Sequence, residues 1–209
     1  PLYSSAASDV YKRQILYRIV RTLGYPIFLL LYRPEFEGRN NIPKSGSVIL
    51  AGNHTNNLDA AIMLAGPTRV VHMLAKKELF KSKISNAFFR SMGCIPVDRK
   101  IHDENAKSEA IEVLKNNEVI GIFPEGTVNR TNDIILPFKY GAVSFAKKTG
   151  AYIVPFTITG KYKLFRRSIK ITYGKPYKVT DDLEIENKKL MNIITKMLIK
   201  ERSNVKRKR

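Results

Sequence analysis

The sequence is poor in several features that mark common classes of protein. Its 209 residues include a single cysteine, Cys94, so an intrachain disulfide is impossible and the fold does not depend on an oxidising compartment. Cys94 opens a short apolar run, which favours a small buried residue over a nucleophile. No run approaches the roughly 20 apolar residues that a membrane-spanning helix needs. Hydrophobic residues still make up 44% of the chain, which excludes a disordered polar chain and allows a substantial core.

Acidic residues are scarce as well. The chain has 18 Asp and Glu against 37 Lys and Arg, which gives a net charge of +19. This excess indicates an anionic partner, and charge alone leaves open whether that partner is nucleic acid, an anionic bilayer or a phosphorylated substrate. One stretch of the chain is basic and contains no acid; its cations are Lys161, Lys163, Arg166, Arg167, Lys170, Lys175 and Lys178.

Composition divides the chain into four segments. Residues 1–14 are small, polar and unpatterned, and we expect them to be an expression or assembly remnant outside the fold. Residues 15–36 mix apolar residues with Tyr and Arg, which predicts an amphipathic helical segment that contacts a membrane interface or docks on the domain's own core. Residues 37–200 form the predicted domain, and residues 201–209 form a basic tail.

Short apolar runs alternate with helical stretches through the predicted domain. Buried strands are predicted at residues 47–51, 70–74, 94–97, 118–123, 152–159 and 169–173. Pro96 restricts the third of these strands to a sheet edge or a strand end. Apolar residues at helical spacing predict helices at residues 58–65, 103–116, 138–148 and around 190–198. This alternation predicts an α/β fold: a single domain with a mixed, largely parallel sheet flanked by helices.

The loop after the first predicted strand contains a histidine and an aspartate five positions apart. Two residues at that spacing within one helix diverge by about 140° around its axis and cannot easily meet. Because His54 lies in the loop and Asp59 in the first turns of the following helix, the ring can fold back to the carboxylate. A carboxylate that holds one ring nitrogen leaves the other as a base. A substrate hydroxyl would then attack directly, without a protein nucleophile.

Two other interpretations of this pair are open. His54 can be a polar turn residue, with Asp59 an early-helix acid that the helix dipole favours. A metal site is the third interpretation. It needs three or four ligands, whereas His72 and His102 lie on other elements without tight spacing, so no metal is expected.

Polar and basic residues also follow the other predicted strands. Glu125 can hold a substrate hydroxyl or orient Arg130, whose planar fork suits phosphate, and Gly126 lets the backbone approach a ligand closely. Sites in such sheets gather at the carboxyl ends of strands, so we predict that these loops form one binding site. Its candidate substrate-binding residues are Glu125, Gly126, Thr127, Arg130, Arg99, Lys76 and Lys77.

Four blocks of the sequence resemble the glycerolipid acyltransferase family, specifically the bacterial 1-acylglycerol-3-phosphate acyltransferases. Residues 53–59 look like that family's His-x4-Asp block, and residues 93–99 are similar to its second block, which ends in Asp-Arg. Residues 123–127, Phe-Pro-Glu-Gly-Thr, look like the third block, and residues 153–156 like the fourth. A lone His-x4-Asp is a weak signal, but its combination with Phe-Pro-Glu-Gly-Thr is specific. The likeness extends over residues 37–159.

The resemblance implies a reaction. It implies that His54 is the general base, that Asp59 is its partner, and that Glu125, Gly126 and nearby cations bind glycerol phosphate. The acyl donor would be acyl-CoA or acyl-carrier protein, with an apolar groove for the acyl chain and no cofactor. The acceptor would be the sn-2 hydroxyl of 1-acylglycerol 3-phosphate, and the product phosphatidic acid. We expect the protein at the cytoplasmic face of the cell membrane, peripheral or monotopic on an anionic surface.

One position departs from the family pattern and leaves the acceptor open. The family usually has Arg directly after Glu-Gly-Thr, where this chain has Val128, and Arg130 lies two residues on. Glycerol 3-phosphate, another lysophospholipid or an amino-acid lipid are alternative acceptors. From other classes, the alternatives are a basic nucleic-acid-binding module and an inactive membrane-docking homologue. The first gives no reason for the His–Asp pair, so no nucleic-acid partner is expected.

Overall fold

The computed structural model describes residues 19–99, 101 and 103–207. The predicted remnant at residues 1–14 lies outside the described residues, and so do His102 and the end of the predicted basic tail.

A seven-stranded sheet forms the centre of the fold. Its strands are β1 Glu35–Glu37, β2 Val48–Gly52, β3 Val71–Lys76, β4 Ile95–Val97, β5 Val119–Ile122, β6 Tyr152–Gly160 and β7 Ile169–Tyr173. They are arranged in the order β1-β7-β6-β2-β5-β3-β4. All neighbouring pairs are parallel except β6 and β7. The predicted α/β fold with a mixed, largely parallel sheet is therefore confirmed, and all six predicted strands are present.

Helices cover both faces of this sheet. They are α1 Tyr25–Tyr32, α2 Asp59–Ala65, α3 Lys83–Ser91, α4 Glu104–Lys115, α5 Gly141–Thr149 and α6 Leu183–Arg207. One buried core lies between the sheet and α4, α5 and α6. The other lies between the sheet and α2, with α1 packed against its rim.

Strand β2 illustrates why the central strands consist of unbroken apolar runs. Ile49 and Ala51 belong to the core under α4 to α6, whereas Val48 and Leu50 belong to the core under α2. Because both faces are covered, no position along the strand faces water and all five residues are buried. The strand ends at Gly52, at the edge of the sheet, and the polar loop that carries His54 begins there.

The N-terminal segment is an apolar helix that the core covers only in part. A π-helical turn, Val20–Gly24, leads into α1, which contains no charged residue. Tyr25 and Phe28 pack against the core, whereas Ile27 and Leu30 are more than half exposed. The predicted amphipathic segment thus has one packed and one exposed apolar face in α1, and no polar face. No helix among residues 19–207 that the structure describes is long and apolar enough to cross a membrane.

The structure differs from the sequence-based prediction at four elements. Helix α6 extends beyond the predicted 190–198 on both sides, and it includes residues 201–207 of the predicted tail. Strand β1 is not predicted because it has only three residues and both of its glutamates are exposed. Helix α3 is also not predicted, although a Ser82–Ser85 capping box starts it. Helix α5 begins at Gly141 and not at residue 138; the preceding Lys139 N–H donates to the Pro124 carbonyl in the loop after β5.

Two smaller predictions concern the third predicted strand. This strand, β4, lies at the edge of the sheet, as the proline at position 96 predicts. Cys94 precedes it and is buried, and this burial raises the pKa of the thiol to about 11. A thiol with so high a pKa is a poor nucleophile at neutral pH, so Cys94 acts in packing.

Candidate active site

Four parallel strands end at the same edge of the sheet and bring their loops together. The chain leaves β2, β3, β4 and β5 at this edge, where a cavity of about 400 Å³ opens. Much of its wall is apolar, with side chains from β3, β4, β5, α4 and α5. The apolar lining includes Leu74, Val97, Ile101, Ile122, Phe123 and Phe145. The polar lining includes His54, Asp98, Arg99, Lys107 and Lys139.

The predicted His–Asp pair is formed. His54 Nδ1 lies 3.1 Å from Asp59 Oδ2, and the imidazole, 13% exposed, borders the cavity. With Nδ1–H donated to the carboxylate, Nε2 is the ring nitrogen that is left to accept a proton from a substrate. The ring also lies flat on Phe123, with centroids 4.1 Å apart and planes 12° apart. The carboxylate and the phenyl ring together fix the orientation of the imidazole.

Asp59 is completely buried, and both of its oxygens are hydrogen-bonded. Oδ2 accepts from the backbone N–H of Thr55 at 2.6 Å and of Asn56 at 2.8 Å, in addition to the histidine ring. Oδ1 accepts from the Tyr162 hydroxyl at 2.7 Å. A buried carboxylate is stable only when it is paired and hydrogen-bonded in this way. The short turn between His54 and α2 thus folds around the Asp59 side chain. This turn brings the His54 ring back over the start of the helix.

Glu125 joins the loop after β5 to the loop after β2. Its Oε1 accepts from the backbone N–H of His54 at 2.7 Å, and its Oε2 accepts from the backbone N–H of Leu136 at 2.8 Å. The Asn129 N–H closes the same junction by donating to the His54 carbonyl at 2.7 Å. Burial raises the pKa of Glu125 above its ordinary value. Both carboxylate oxygens therefore accept from protein backbone, so Glu125 fixes the position of the His54 backbone.

Gly126 lies between two cations at the cavity wall. Arg99 Nη1 donates to the Gly126 carbonyl at 2.8 Å, and a Cβ added at Gly126 would lie 3.0 Å from Lys139 Cε. The glycine has φ +70°, a left-handed conformation that other residues adopt only with strain. Partial burial also lowers the pKa of Arg99. The absence of a side chain at this position leaves both cations close to the cavity.

The remaining predicted binding residues lie farther from the cavity lining. Thr127 and Arg130 are exposed and do not line the cavity. Lys76 is exposed as well, and Lys77 pairs with Asp98, which does line the cavity. The structure therefore brings together His54, Asp59, Glu125, Gly126 and Arg99, and leaves the other four at its margin.

Sequence reasoning missed three residues of the site. Lys107 and Lys139 line the cavity, and Tyr162 holds Asp59. Lys139 follows the Phe-Pro-Glu-Gly-Thr block and precedes a helix, a position that a search for cations at strand-to-helix loops would find. Tyr162 gives no local signal, because it comes from a distant loop. Within the described residues, no cluster of three or more His, Cys, Asp or Glu side chains has the arrangement of a metal site.

Comparison with known proteins assigns the family. The model of the family described as "Acyltransferase" matches residues 33–159, more than half of the chain, and the chain belongs to this family. A 1-acyl-sn-glycerol-3-phosphate acyltransferase of Borreliella burgdorferi is 34% identical over 81% of this chain and 71% of the relative. Its counterpart of the same name from Bacillus subtilis is 31% identical over 79% of this chain and 86% of that protein.

A solved structure shares the fold. The crystal structure of the 1-acyl-sn-glycerophosphate acyltransferase PlsC from Thermotoga maritima superposes with a TM-score of 0.73. The match covers 91% of this chain and 81% of that one, at 24% sequence identity. At this identity the match concerns the fold alone.

Proposed function

We propose that the protein transfers a fatty acyl group from a thioester donor to the sn-2 hydroxyl of 1-acylglycerol 3-phosphate and so makes phosphatidic acid. The donor is acyl-CoA or acyl-carrier protein. The observation that carries this proposal is the His54–Asp59 pair at the mouth of an apolar cavity that has cations on its rim. The names of the bacterial relatives support the choice of acceptor.

The reaction needs only the residues at this edge of the sheet. His54 Nε2 removes the proton of the acceptor hydroxyl while the hydroxyl oxygen attacks the thioester carbonyl. The carbon–sulfur bond then breaks, the new ester forms, and the leaving thiolate takes the proton from the imidazolium. The proposal requires neither a metal ion nor a bound cofactor. The Gly126 N–H, a candidate oxyanion donor, donates to the Phe123 carbonyl in this state, so it would have to be released to take that role.

The two ends of the acceptor fit the two kinds of cavity wall. Arg99 and Lys139 flank Gly126, and charge-assisted hydrogen bonds from such groups suit a phosphate. The apolar wall suits an acyl chain. Val128 leaves the position after Glu-Gly-Thr without a cation. This is why glycerol 3-phosphate and other lysophospholipids remain alternative acceptors.

The proposed location is the cytoplasmic face of the cell membrane, as a peripheral or monotopic protein on an anionic surface. Leu23, Ile27 and Leu30 at the N-terminal segment are more than half exposed to solvent. The chain also carries a net charge of +19, and each cation near an anionic surface contributes about 1 kcal/mol. Apolar contact and charge attraction together are what interfacial binding requires.

The test of this proposal follows thiol release from acyl-CoA or acyl-carrier protein with lysophosphatidic acid as acceptor. We expect the Arg99→Ala variant to raise the KM for lysophosphatidic acid about 10- to 100-fold, because one charge-assisted contact to phosphate is lost. The KM for the donor should stay near that of the parent. Arg202→Ala, at an exposed arginine on α6, serves as the matched control.

Two results would contradict the proposal. If Arg99→Ala leaves the KM for lysophosphatidic acid unchanged, the acceptor phosphate does not bind at this end of the cavity. If kcat/KM is higher with glycerol 3-phosphate or another lysophospholipid than with lysophosphatidic acid, that compound is the acceptor.

A further inference from the structure

The loop between β6 and β7 exposes apolar side chains within a basic segment. At its tip, Leu164 is 56% and Phe165 is 63% exposed. Phe165 has φ +59°, the left-handed region that a bulky side chain rarely adopts. The cations Lys161, Lys163, Arg166 and Arg167 surround the tip, and residues 161–168 contain no acid. Strained backbone, exposed phenyl ring and uncompensated charge thus coincide at one point of the surface.

This loop borders the exposed N-terminal helix directly. The Phe165 N–H donates to the carbonyl of Leu31 on α1, and the Tyr32 and Tyr162 rings meet edge to face with centroids 5.6 Å apart. Leu30, next to the acceptor of that hydrogen bond, is also more than half exposed. The loop tip and α1 therefore form one continuous surface that is apolar in the middle and basic on the loop side.

We propose that the loop of residues 161–168 is a second lipid-contacting element, with Leu164 and Phe165 entering an anionic bilayer beside α1. This rests on the proposed membrane location. The flanking cations would contact anionic headgroups while the two apolar side chains pass below them. An acidic protein partner would use the cations equally well. It would give no reason for two large apolar side chains held outward next to an apolar helix, so the bilayer is the favoured occupant.

The test is sedimentation of the full chain with vesicles of phosphatidylglycerol and phosphatidylcholine. We expect the double variant Leu164→Ser and Phe165→Ser to bind about 10- to 100-fold more weakly, because two large apolar side chains no longer leave water. Tyr152→Ser is the matched control: it removes an exposed aromatic ring at the opposite end of β6, about 25 Å away along the strand. This control should bind as the parent does.

The outcomes separate this inference from the proposed reaction, because vesicle binding is measured without turnover. Equal binding of the parent and the double variant would overturn the role of the loop. The role would also be overturned if the parent bound vesicles of phosphatidylcholine alone as tightly as the anionic vesicles. The same holds if the double variant lost binding to acyl-carrier protein but not to vesicles. Acyl transfer in detergent micelles, measured on the same proteins, reports on the reaction and should be equal in parent and double variant.

The base of the same loop supports a second, separate inference about the dyad. Tyr162 reaches from this loop into the buried site, and its hydroxyl donates to Asp59 Oδ1 at 2.7 Å. Burial, together with the negative charge of Asp59, raises the pKa of Tyr162 far above its ordinary value, so the hydroxyl stays a donor. Thr55 and Asn56 hold only the other oxygen, Oδ2. Without Tyr162, the carboxylate would be fixed at one oxygen only.

We infer that Tyr162 is a positioning residue, which holds the Asp59 carboxylate and through it the His54 ring. In the Tyr162→Phe variant we expect kcat to fall about 10-fold, since one hydrogen bond to a charged group is lost. The KM values for donor and acceptor should change less than twofold. Tyr177→Phe is the matched control, because the buried Tyr177 hydroxyl has no hydrogen-bond partner among the described residues.

A pH profile distinguishes positioning from a purely structural role. Without the hydroxyl, the charge of the Asp59 carboxylate loses one stabilising hydrogen bond and interacts more strongly with a protonated His54 ring, which cannot act as a base. The acid limb of kcat/KM in Tyr162→Phe should therefore move to higher pH. Glu125 also faces His54, and Arg99 and Lys139 line the same cavity, but these groups are unchanged in the variant. A parent-like kcat and profile, or the same change in Tyr177→Phe, would overturn the inference.

Discussion

We expect His54→Ala to transfer the acyl group about 10²- to 10⁴-fold more slowly, which is the usual contribution of a general base. Among the carboxylates that the structure describes here, each already has partners. Asp59 lies behind the ring and is fully buried, and both oxygens of Glu125 accept backbone N–H groups. Asp98 pairs with Lys77, and both oxygens of Asp103 accept backbone N–H groups. Initial rates of thiol release at saturating donor and acceptor measure the effect.

The variant should remain folded. Asp59 keeps its hydrogen bonds from two backbone N–H groups and from Tyr162 when the imidazole is removed. The matched control is His72→Ala, which removes the partly exposed ring that pairs with Glu118 at 3.0 Å, outside the cavity lining. Turnover near the parent level in His54→Ala, with the control also active, would refute the role of the base.

We expect Glu125→Ala to lower the free energy of unfolding by about 2–6 kcal/mol and to lower activity greatly. The variant leaves two backbone N–H groups, those of His54 and Leu136, without their acceptor in a buried place. Each unsatisfied buried donor costs about 1–3 kcal/mol. Because one of these groups belongs to the base itself, the loop that carries His54 also loses its anchor. Urea unfolding followed by circular dichroism, with thiol release in parallel, measures both effects.

The Glu125→Gln variant provides an intermediate test of this prediction. The glutamine side chain retains one acceptor oxygen and replaces the other with a donor. The free energy of unfolding of Glu125→Gln should therefore lie between those of the parent and of Glu125→Ala. Glu112→Ala, at an exposed glutamate on α4, should change the free energy of unfolding by less than about 0.5 kcal/mol. If Glu125→Ala is as stable as this control, the carboxylate does not hold the two loops together.

Most of the sheet was predictable because its strands are covered on both faces. A strand without a solvent-facing side has few polar positions, so β2 and β5 appear in the sequence as unbroken apolar runs, and β6 as a run that Thr157 and Thr159 interrupt. Strand β1 lacks this signal, because its only inward side chain is Phe36 and its pairing with β7 joins residues far apart in sequence. Helix α3, by contrast, has clearly separate apolar and polar faces and a capping box at its start, so the sequence carried a signal for it that the prediction did not use.

Contacts within the site were predictable when the two residues lie close in sequence, and not when they lie far apart. The His54–Asp59 pair lies within one loop and one helical turn, so its spacing alone indicates that the side chains can meet. Tyr162 lies 103 positions from Asp59, and nothing near either residue indicates their contact. The motif block around Glu125 was identified, but its hydrogen bonds to two backbone N–H groups depend on the crossing of two loops. Only coordinates reveal such a crossing.

The stack of His54 on Phe123 has an energetic consequence for turnover. A neutral imidazole gains little from lying 4.1 Å above a phenyl face, whereas a cation over an aromatic ring is attracted by the ring's quadrupole. In the proposed reaction the ring gains a positive charge when it takes the acceptor's proton, and the Asp59 carboxylate attracts it at the same moment. Both attractions are therefore stronger in the activated complex than in the resting enzyme, and interactions of this kind lower the barrier without tightening substrate binding.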